Sequence, residues 1–356
     1  MTEPQLTDPW MLGPLRVPNR VLLAPLAGIG NWFVRLQAKR YGAGMAVSEM
    51  VSSHAIYYGN ERTCVEMLRI DPREQGLSPS VSPVPHVPGG PVSIQLFGEN
   101  PAVMRFAAAH IAAYTAADAI DINMGCPVPK VRKTGAGAAM LADPDLAVAV
   151  TRAAREGTIE AGRELPVTVK LRSGLRPGDT SGFALAHRLV EHAGAAAIAF
   201  HPRSAAVHHK GQPDYDLAAR LVDSLPVPVI LTGGLSDATR VREAYQLTGA
   251  SAVMLARGSL GNPWLFRELL FEDEHEPTPA EVTAELNWTI DRAVEHLGEP
   301  RATRYLRKFY PWYVARLGLD PTEAKHLNES LQQVATLQNA RYTAALAALP
   351  RAAVPA

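Results

Sequence analysis

The sequence predicts an α/β protein: a (β/α)₈ TIM barrel followed by a small C-terminal all-helical domain. Eight short apolar runs rich in β-branched residues each end in glycine or polar residues, and stretches with helical spacing separate most of them. Strands and helices that alternate over about 250 residues are typical of this barrel. The runs begin at Val21, Met45, Val92, Ala119, Val167, Ala196, Val229 and Ala252.

The predicted helices lie between these runs, at residues 101–114, 143–161, 182–192 and 237–247. Successive runs begin 23 to 33 residues apart, except after the second and fourth, where the intervals are 47 and 48 residues. The surplus after the second run includes residues 71–91, which are rich in proline and glycine. This composition predicts an exposed, mobile excursion instead of a packed element.

A second domain is predicted where the composition changes beyond Leu270. Four acidic residues between positions 272 and 276 precede Pro277 and Pro279, and the apolar spacing that follows is helical. We therefore predict a barrel domain over residues 1–272 and a helical domain over residues 277–350. The helices of the second domain are expected at residues 279–297, 301–316 and 322–346, as a small bundle.

Composition and charge exclude several classes of protein. Hydrophobic residues make up 47% of the chain and charged residues 20%, which is typical of a globular protein and not of a disordered or collagen-like one. The 35 Lys and Arg residues balance the 35 Asp and Glu residues, so a polyanion would need a local basic surface. No apolar run approaches the roughly 18 residues of a membrane span, and the first residues lack a secretory signal pattern. We expect a cytoplasmic protein without membrane association.

The candidate site residues are those at the ends of the runs, because the active site of this barrel lies at the C-terminal ends of its strands. Residues 232–234 and 256–258 end the last two runs, where glycine and Arg257 predict a phosphate site. Gln95 and Lys170, from the third and fifth runs, suit a flat ring with an amide edge such as isoalloxazine. A lysine at a barrel mouth also suits a Schiff base, so Lys170 alone leaves both chemistries open.

Two cysteines occur in the chain, too few for a disulfide framework. Cys126 directly follows the fourth run, where a thiol with an ordinary pKa of about 8.5 is mostly protonated near neutral pH and could donate a proton. Cys64 has no comparable context, and we interpret it as a small, half-buried residue. His208 and His209 lack a third ligand nearby, so no metal site is expected.

A basic stretch interleaved with aromatic residues marks the predicted second domain. Arg304, Arg307 and Lys308 lie among Tyr305 and other aromatic residues. Such a mixture suits a phosphate backbone and exposed bases. It is also typical of a solvated helix face whose aromatic side chains turn into the core, and this stretch alone favours that second interpretation.

With these features the chain resembles the tRNA-dihydrouridine synthase family, flavoproteins that reduce uridine in tRNA. The resemblance extends from about Val21 to Leu270, and more weakly to about Leu319. Its most specific segment is NMGCPVPKVRKTGAGAAML, residues 123–141, which follows the N-x-G-C-P-x-x-K-V segment and glycine-alanine loop of the family. The supporting segments are APLAG at Ala24, SIQLFG at Ser93, VKLRSG at Val169, HPRSAAVHHKG at His201 and ARGSLGNPWLF at Ala256.

The resemblance implies a set of roles for individual residues. FMN is expected to contact Pro25, Leu26, Ala27, Gln95, Lys170, His201, Thr232, Gly233, Gly234, Ala256, Arg257 and Gly258. Cys126 would be the catalytic acid, Asn123 and Arg172 would hold the uracil, and NADPH would be the reductant. The expected tRNA contacts are Lys130, Lys133, Arg304, Arg307 and Lys308. The chain is expected to be monomeric.

The chain departs from the family pattern at several positions. The family usually has asparagine at position 232, where Thr232 stands, and glycine where Pro202 and Ala256 stand. It has tyrosine where His209 stands, and Phe309 follows Arg307 and Lys308 where a histidine is common. Thr232 is the implied FMN contact that these departures affect most directly.

The chemistry of the uracil ring agrees with this assignment. Its C5=C6 bond is conjugated to the C4 carbonyl, so a hydride should enter at C6 and the enolate should take a proton at C5. In this scheme the base must leave the tRNA stack to reach the site. One alternative is a flavin barrel that reduces a free pyrimidine, such as a dihydroorotate or dihydropyrimidine dehydrogenase, and activity on free pyrimidine would identify it. Another is a non-catalytic tRNA-binding module, which would purify without FMN.

Overall fold

A computed structural model describes residues 4–76, 89–271 and 276–348, and within them the barrel predicted from the sequence is confirmed. Each barrel strand pairs in parallel with its neighbours, and pairing of β4 with β6 and of β11 with β3 closes the ring. The strands are β1 (Trp10–Leu12), β2 (Leu15–Val17), β3 (Val21–Leu23), β4 (Met45–Val47), β5 (Val51–Ser52), β6 (Val92–Phe97), β7 (Ala119–Met124), β8 (Val167–Arg172), β9 (Ala197–His201), β10 (Val229–Thr232) and β11 (Ala252–Leu255).

The eight apolar runs of the sequence are the eight barrel strands β3, β4 and β6 to β11. The helices are α1 (Trp32–Arg40), α2 (Ser53–Tyr57), α3 (Pro101–Tyr114), α4 (Pro129–Arg132), α5 (Pro144–Glu160), α6 (Ser181–Ala193), α7 (Tyr215–Ser224), α8 (Ala238–Thr248), α9 (Trp264–Phe271), α10 (Pro279–Leu297), α11 (Glu299–Leu306), α12 (Tyr310–Val314), α13 (Pro321–Gln333) and α14 (Leu337–Ala347). The four barrel helices predicted from the sequence agree with α3, α5, α6 and α8 to within one residue at each end.

Local side chains set the ends of these helices. Asn100 and Asp143 accept hydrogen bonds from backbone N–H groups in the first turns of α3 and α5, and a proline follows each cap. Helices α6 and α8 end at Gly194 and Gly249, whose φ angles of 69° and 62° lie in the left-handed region that glycine adopts readily. The chain is thereby turned back toward the next strand after each helix.

The barrel interior is apolar at the bottom and polar at the top. The hairpin of β1 and β2 contributes Trp10, Leu12 and Val17 to the same core cluster as the inward residues Leu22 and Met45. Polar side chains stand higher on the same strands, toward their C-terminal ends. The fold therefore closes the lower end of the barrel with packed side chains and leaves its chemistry at the mouth.

The prediction that residues 71–91 form an exposed, mobile excursion is wrong for both ends of the segment. A buried ionic network packs those ends against α1. The Glu74 carboxylate accepts from Arg35 Nε at 2.8 Å, and both side chains are buried. Lys39 Nζ donates to the carbonyls of Glu74 and Gly90, and burial lowers the pKa of Lys39 to about 8. A Cβ at Gly90 would lie 2.0 Å from the carbonyl oxygen of Gly44, so only glycine fits there. Residues 77–88 lie outside the described residues.

The chain divides into two compact units, and the helical unit includes residues 259–268 in addition to the described residues from 276 onward. The sequence prediction had placed residues 259–268 in the barrel domain. Two predicted helices are each broken into two. Residues 301–316 form α11 and α12, because Pro311 lacks the N–H that a continuous helix would use. Residues 322–346 are interrupted at Val334, which is extended, and α14 follows Thr336, whose Oγ1 accepts from Asn339 N–H.

The helical unit has its own core. Tyr310 and Tyr313 of α12 are buried, and the Tyr313 hydroxyl lies 2.8 Å from Thr289 Oγ1 of α10. Of the aromatic side chains in the basic stretch, Phe309, Tyr310 and Tyr313 therefore lie in the core.

Throughout the part of the chain that the structure describes, no helix is both long and apolar enough to cross a membrane.

Candidate active site

The register of the parallel strands brings the candidate site residues to one end of the barrel. Gln95 of β6 lies opposite Asp121 of β7, and Asn123 lies opposite Lys170 of β8. The other candidates end β9 and β10 or follow β3, β10 and β11, as the sequence predicts. They are Pro25, Leu26, Ala27, His201, Thr232, Gly233, Gly234, Ala256, Arg257 and Gly258.

The loop after β7 holds Cys126 in a defined position. Asn123 Oδ1 accepts from the backbone N–H of Cys126 at 2.9 Å and from that of Gly125 at 3.2 Å. The Cys126 carbonyl accepts from Ala138 N–H at 3.0 Å. Gly137 has a φ of 63°, and a Cβ there would lie 2.9 Å from the Cys126 carbonyl oxygen. Glycine is therefore required at position 137, where the glycine-alanine loop packs against the Cys126 backbone. The Cys126 side chain is half-buried.

Two side chains, Gln95 and Asn123, join a buried carboxylate to this loop. Asp121 accepts from Gln95 Nε2 at 2.6 Å and from Thr168 Oγ1 at 2.5 Å. Gln95 Oε1 in turn accepts from Asn123 Nδ2 at 2.9 Å, which leaves Asn123 Oδ1 facing the Cys126 backbone. Burial raises the pKa of Asp121, and the two hydrogen bonds and the nearby Lys170 oppose that rise. The chain of bonds fixes the orientation of both amides. Asp121 therefore positions the segment after β7, residues 125–137, which we name the cysteine loop.

Asp121 was missed by the sequence analysis. It stands in the apolar run AIDINMG, two residues before Asn123, and therefore on the same face of the strand. A carboxylate in the middle of an otherwise apolar buried strand is rare unless it is paired. That pattern could have identified the residue.

Lys170 reaches the mouth of the barrel. Desolvation, with a smaller contribution from Arg172, lowers the pKa of Lys170 to about 8, although Asp121 and Cys126 oppose this effect. No hydrogen bond or ion pair joins its Nζ to another of the described residues. A largely enclosed ammonium group without such a partner is suited to an anionic or hydrogen-bond-accepting ligand.

Arg172 connects two loops of the site. Its Nε donates to the Gly125 carbonyl at 2.9 Å, and its Nη1 donates to the carbonyls of Ser204 and His208 at 3.1 and 2.7 Å. Within the described ranges its Nη2 makes no hydrogen bond. Burial lowers the pKa of Arg172 to about 10, and the side chain stays charged at neutral pH.

His201 is surrounded by positive charge. Its ring is buried, and its pKa lies well below the usual 6.5, first because of desolvation and then because of Lys170, Arg172 and Arg203. Arg203 Nη1 lies 3.4 Å from His201 Nε2. The neutral imidazole thus stands at the edge of a cationic mouth, which favours an anionic ligand.

The ends of β10 and β11 have the backbone expected of a phosphate site. Gly233 and Gly234 have φ angles of 97° and 83°, and a Cβ on Gly233 would lie 2.3 Å from the His201 ring. A Cβ on Gly258 would lie 2.6 Å from the Leu235 carbonyl oxygen. Arg257 is exposed beside them. Glycine is therefore needed for close backbone approach, and the arginine adds a charge that can reach an anion.

The candidate tRNA contacts fall into two groups. Lys130 and Lys133 are exposed on the loop that follows Cys126. Arg304, Arg307 and Lys308 are exposed on the helical unit, where Lys308 Nζ lies 5.0 Å from the Tyr305 ring centroid. No group of three or more His, Cys, Asp or Glu side chains among the described residues could hold a metal ion.

The buried imidazole predicts a pH dependence of stability. The folded chain keeps His201 neutral, whereas the unfolded chain takes up a proton below about pH 6.5, so the stability that this group contributes is full above pH 6.5 and falls as the pH drops. Denaturant midpoints at pH 7.5 and 5.5 should therefore differ less for His201→Asn than for the wild type. Equal differences in the two proteins would contradict the assignment of a neutral buried His201.

Comparison with known proteins identifies relatives along most of the chain. The family model described as dihydrouridine synthase (Dus) matches residues 22–353. The chain is 30% identical over 330 residues to tRNA-dihydrouridine synthase B of Shewanella oneidensis, which covers 91% of this chain and 94% of that protein. It is 32% identical to tRNA-dihydrouridine synthase B of Proteus vulgaris, over 85% of this chain and 88% of the relative. It is also 33% identical to a probable tRNA-dihydrouridine synthase of Treponema pallidum, over 88% and 89% of the two chains.

Solved structures show the same fold at lower sequence identity. Morphinone reductase has a TM-score of 0.51 and 17% identity, with 79% of this chain and 93% of that chain covered. A 2-naphthoyl-CoA reductase has a TM-score of 0.53 and 13% identity, over 74% and 52% of the two chains. The family match and the curated relatives agree with the resemblance seen in the N-x-G-C-P segment around Cys126. The chain therefore belongs to the dihydrouridine synthase family.

Proposed function

We propose that the protein reduces uridine to 5,6-dihydrouridine in tRNA, with FMN as the cofactor, NADPH as the reductant and Cys126 as the proton donor. The observation that carries this proposal is the fixed position of Cys126 over a cationic barrel mouth, in a chain that belongs to the Dus family. The curated relatives named as tRNA-dihydrouridine synthases support the same substrate.

The residues at the mouth fit FMN. The glycine backbone at Gly233 and Gly234 and the Arg257 side chain would hold its phosphate, and Lys170 and Gln95 would face its ring system. The Lys170 ammonium has no hydrogen-bond partner among the described residues and a lowered pKa, as a ligand-facing group should. Bound FMN, once reduced by NADPH, supplies the hydride that adds to C6 of the uracil ring.

Cys126 would donate the proton that C5 requires. The Asn123 amide and the loop closed by Gly137 hold the cysteine backbone, so the thiol is presented from a rigid turn. The Nη2 of Arg172, which makes no hydrogen bond within the described ranges, lies next to this turn and would hold the polar edge of the uracil. Asn123 would join it by giving up the weak contact of its Nδ2 with Met50 Sδ at 3.8 Å. A base that reaches them must be flipped out of the tRNA stack.

Incubation of the purified protein with unmodified tRNA and NADPH tests the proposal. Nucleosides from digested tRNA should contain dihydrouridine, two mass units heavier than uridine, and the same protein should leave free uridine and free uracil unchanged. Reduction of the free pyrimidine would instead favour a dehydrogenase of small substrates. Binding of tRNA by a protein that purifies without flavin would favour a non-catalytic module. Parallel reactions with NADH would test the proposed preference for NADPH.

Arg257 is expected to retain FMN through its phosphate. Arg257→Ala removes a charge-assisted contact worth about 1.5 to 3 kcal/mol, so the dissociation constant of FMN should rise about 10- to 150-fold. Arg220→Ala removes another exposed charge, on α7, and serves as the control. Unchanged flavin occupancy of Arg257→Ala after dilution would remove Arg257 from the cofactor site.

We also propose a cytoplasmic monomer. The proposed tRNA substrate supports the location. Sedimentation of the purified protein should give a single species at the chain mass of 38.3 kDa, and a stable dimer would contradict the monomeric state.

A further inference from the structure

Six aromatic rings follow one another along the surface of α2 and α3, and we name this set the aromatic ridge. From one end to the other it consists of His54, Tyr58, Tyr57, Phe106, His110 and Tyr114. The successive ring centroids lie 6.3, 5.2, 5.2, 6.4 and 4.9 Å apart. Each ring therefore contacts the next, and the series is continuous.

The largest rings of the aromatic ridge are not part of the core. Tyr58 is 76% exposed and Tyr114 is 79% exposed, and Tyr57 and Phe106 are 48% and 45% exposed. Phe106, His110 and Tyr114 are spaced by four residues on one face of α3. The opposite face of α3 packs inward through Val103, Met104, Ala107, Ala108 and Ile111. A row of exposed aromatic side chains of this kind marks an interaction surface.

The aromatic ridge begins beside the loop that carries Cys126. Helix α3 starts at the mouth because it follows the C-terminal end of β6, and Glu99 stands just before it. His54 Nε2 lies 3.9 Å from Glu99 Oε1, and a Cβ on Gly135 of the cysteine loop would lie 3.5 Å from Glu99 Cβ. The ridge and the cysteine loop thus form one continuous surface on the barrel unit.

The neighbouring charges favour a nucleic acid over a protein as the occupant of this surface. Lys130, Arg132 and Lys133 are exposed on the cysteine loop, and none of them forms an ion pair within the described part of the chain. Exposed cations beside aromatic faces bind the phosphates and unstacked bases of a single strand. A second copy of this chain would bring the same three positive charges to the interface, which opposes self-association.

We propose that the aromatic ridge binds unpaired nucleotides of the tRNA substrate by base stacking, from its His54 end beside the cysteine loop to Tyr114 at the far end of α3. This inference rests on the proposed function, because it takes tRNA as the substrate. It assigns the phosphate contacts to Lys130, Arg132 and Lys133 and the stacking contacts to the most exposed rings, Tyr58 and Tyr114.

Binding of unmodified tRNA at several salt concentrations tests the inference. Tyr58→Ala and Tyr114→Ala should each weaken tRNA binding about five- to 150-fold, the range for loss of one stacked base. Tyr58→Phe keeps the ring and should bind as the wild type does. The slope of log K against log salt should stay unchanged in the tyrosine variants, because stacking releases no counterions. It should become shallower by about 0.7 per lost contact in Lys130→Ala and Lys133→Ala.

Leu247→Ala is the control, because Leu247 is an exposed apolar side chain on α8, outside the aromatic ridge. It should bind tRNA with wild-type affinity, and thermal unfolding should confirm that all variants are folded. Wild-type affinity in folded Tyr58→Ala and Tyr114→Ala would overturn the inference. So would a wild-type dimer that these variants dissociate without a change in tRNA affinity, which would identify a second copy as the occupant.

The dihydrouridine assay separates this inference from the proposed function. A wild-type protein that forms dihydrouridine, together with tyrosine variants that bind tRNA normally, would refute the aromatic ridge alone. A wild-type protein that binds tRNA through Tyr58 and Tyr114 but forms no dihydrouridine would refute the proposed function alone.

Discussion

Cys126→Ala should be reduced by NADPH at the wild-type rate but should be reoxidised by tRNA about 10²- to 10⁴-fold more slowly, the usual effect of removing a general acid. Only the second half-reaction requires a proton at C5. The Cys126 backbone is held by Asn123 and Ala138 through its N–H and carbonyl, so the alanine variant keeps the geometry of the loop. Stopped-flow measurement of flavin absorbance resolves the two half-reactions.

Cys64→Ala is the control for this experiment. Cys64 is the other cysteine of the chain, and it lies in the π-helical turn Thr63–Met67, outside the loop that follows β7. Both of its half-reactions should proceed at wild-type rates. If Cys126→Ala were also reoxidised at the wild-type rate, the Cys126 thiol would have a structural role only.

Replacing Arg304, Arg307 and Lys308 together with alanine should weaken tRNA binding strongly. Each phosphate contact releases counterions, so on duplex regions the slope of log K against log salt should become shallower by about 0.9 per lost contact. The three side chains are exposed, whereas the aromatic residues Phe309, Tyr310 and Tyr313 beside them are buried. Titration of labelled tRNA at four or more salt concentrations measures both quantities.

A triple variant with the same loss of charge controls for long-range electrostatics. Arg152, Arg220 and Arg240 are exposed on α5, α7 and α8 of the barrel, and their replacement with alanine should change tRNA affinity much less. FMN content and NADPH oxidation should stay normal in the Arg304, Arg307 and Lys308 variant. Wild-type affinity and salt dependence in that variant would identify the stretch as a solvated helix face and would shift the tRNA surface to the loop around Lys130 and Lys133.

The barrel could be predicted from the sequence because its signals are local. Each strand is a short apolar run, and caps such as Asn100 and Asp143 stand next to the helices they begin. The ends of the segment at residues 71–91 could not be predicted in this way. Their burial depends on Arg35 and Lys39, which approach Glu74 and Gly90 from 35 to 51 residues away in the chain.

The candidate site was predictable residue by residue but not as a network. Strand ends identified Gln95, Asn123 and Cys126, yet the bonds that join them also need Asp121, which lies inside a strand. The register of β6 and β7 creates this connection, and register follows from the closed barrel and not from a local motif. The break between α11 and α12 is different, because Pro311 was visible in the sequence and should have ended the predicted helix.

The most direct test of the account is the dihydrouridine content of tRNA from a strain that lacks this gene. Individual tRNAs from that strain should lose dihydrouridine at one or more positions that carry it in the parent. Expression of the wild-type chain should restore those positions, and expression of Cys126→Ala should not. An unchanged set of dihydrouridine positions in a strain with no second enzyme of this family would contradict the proposal that the protein modifies tRNA.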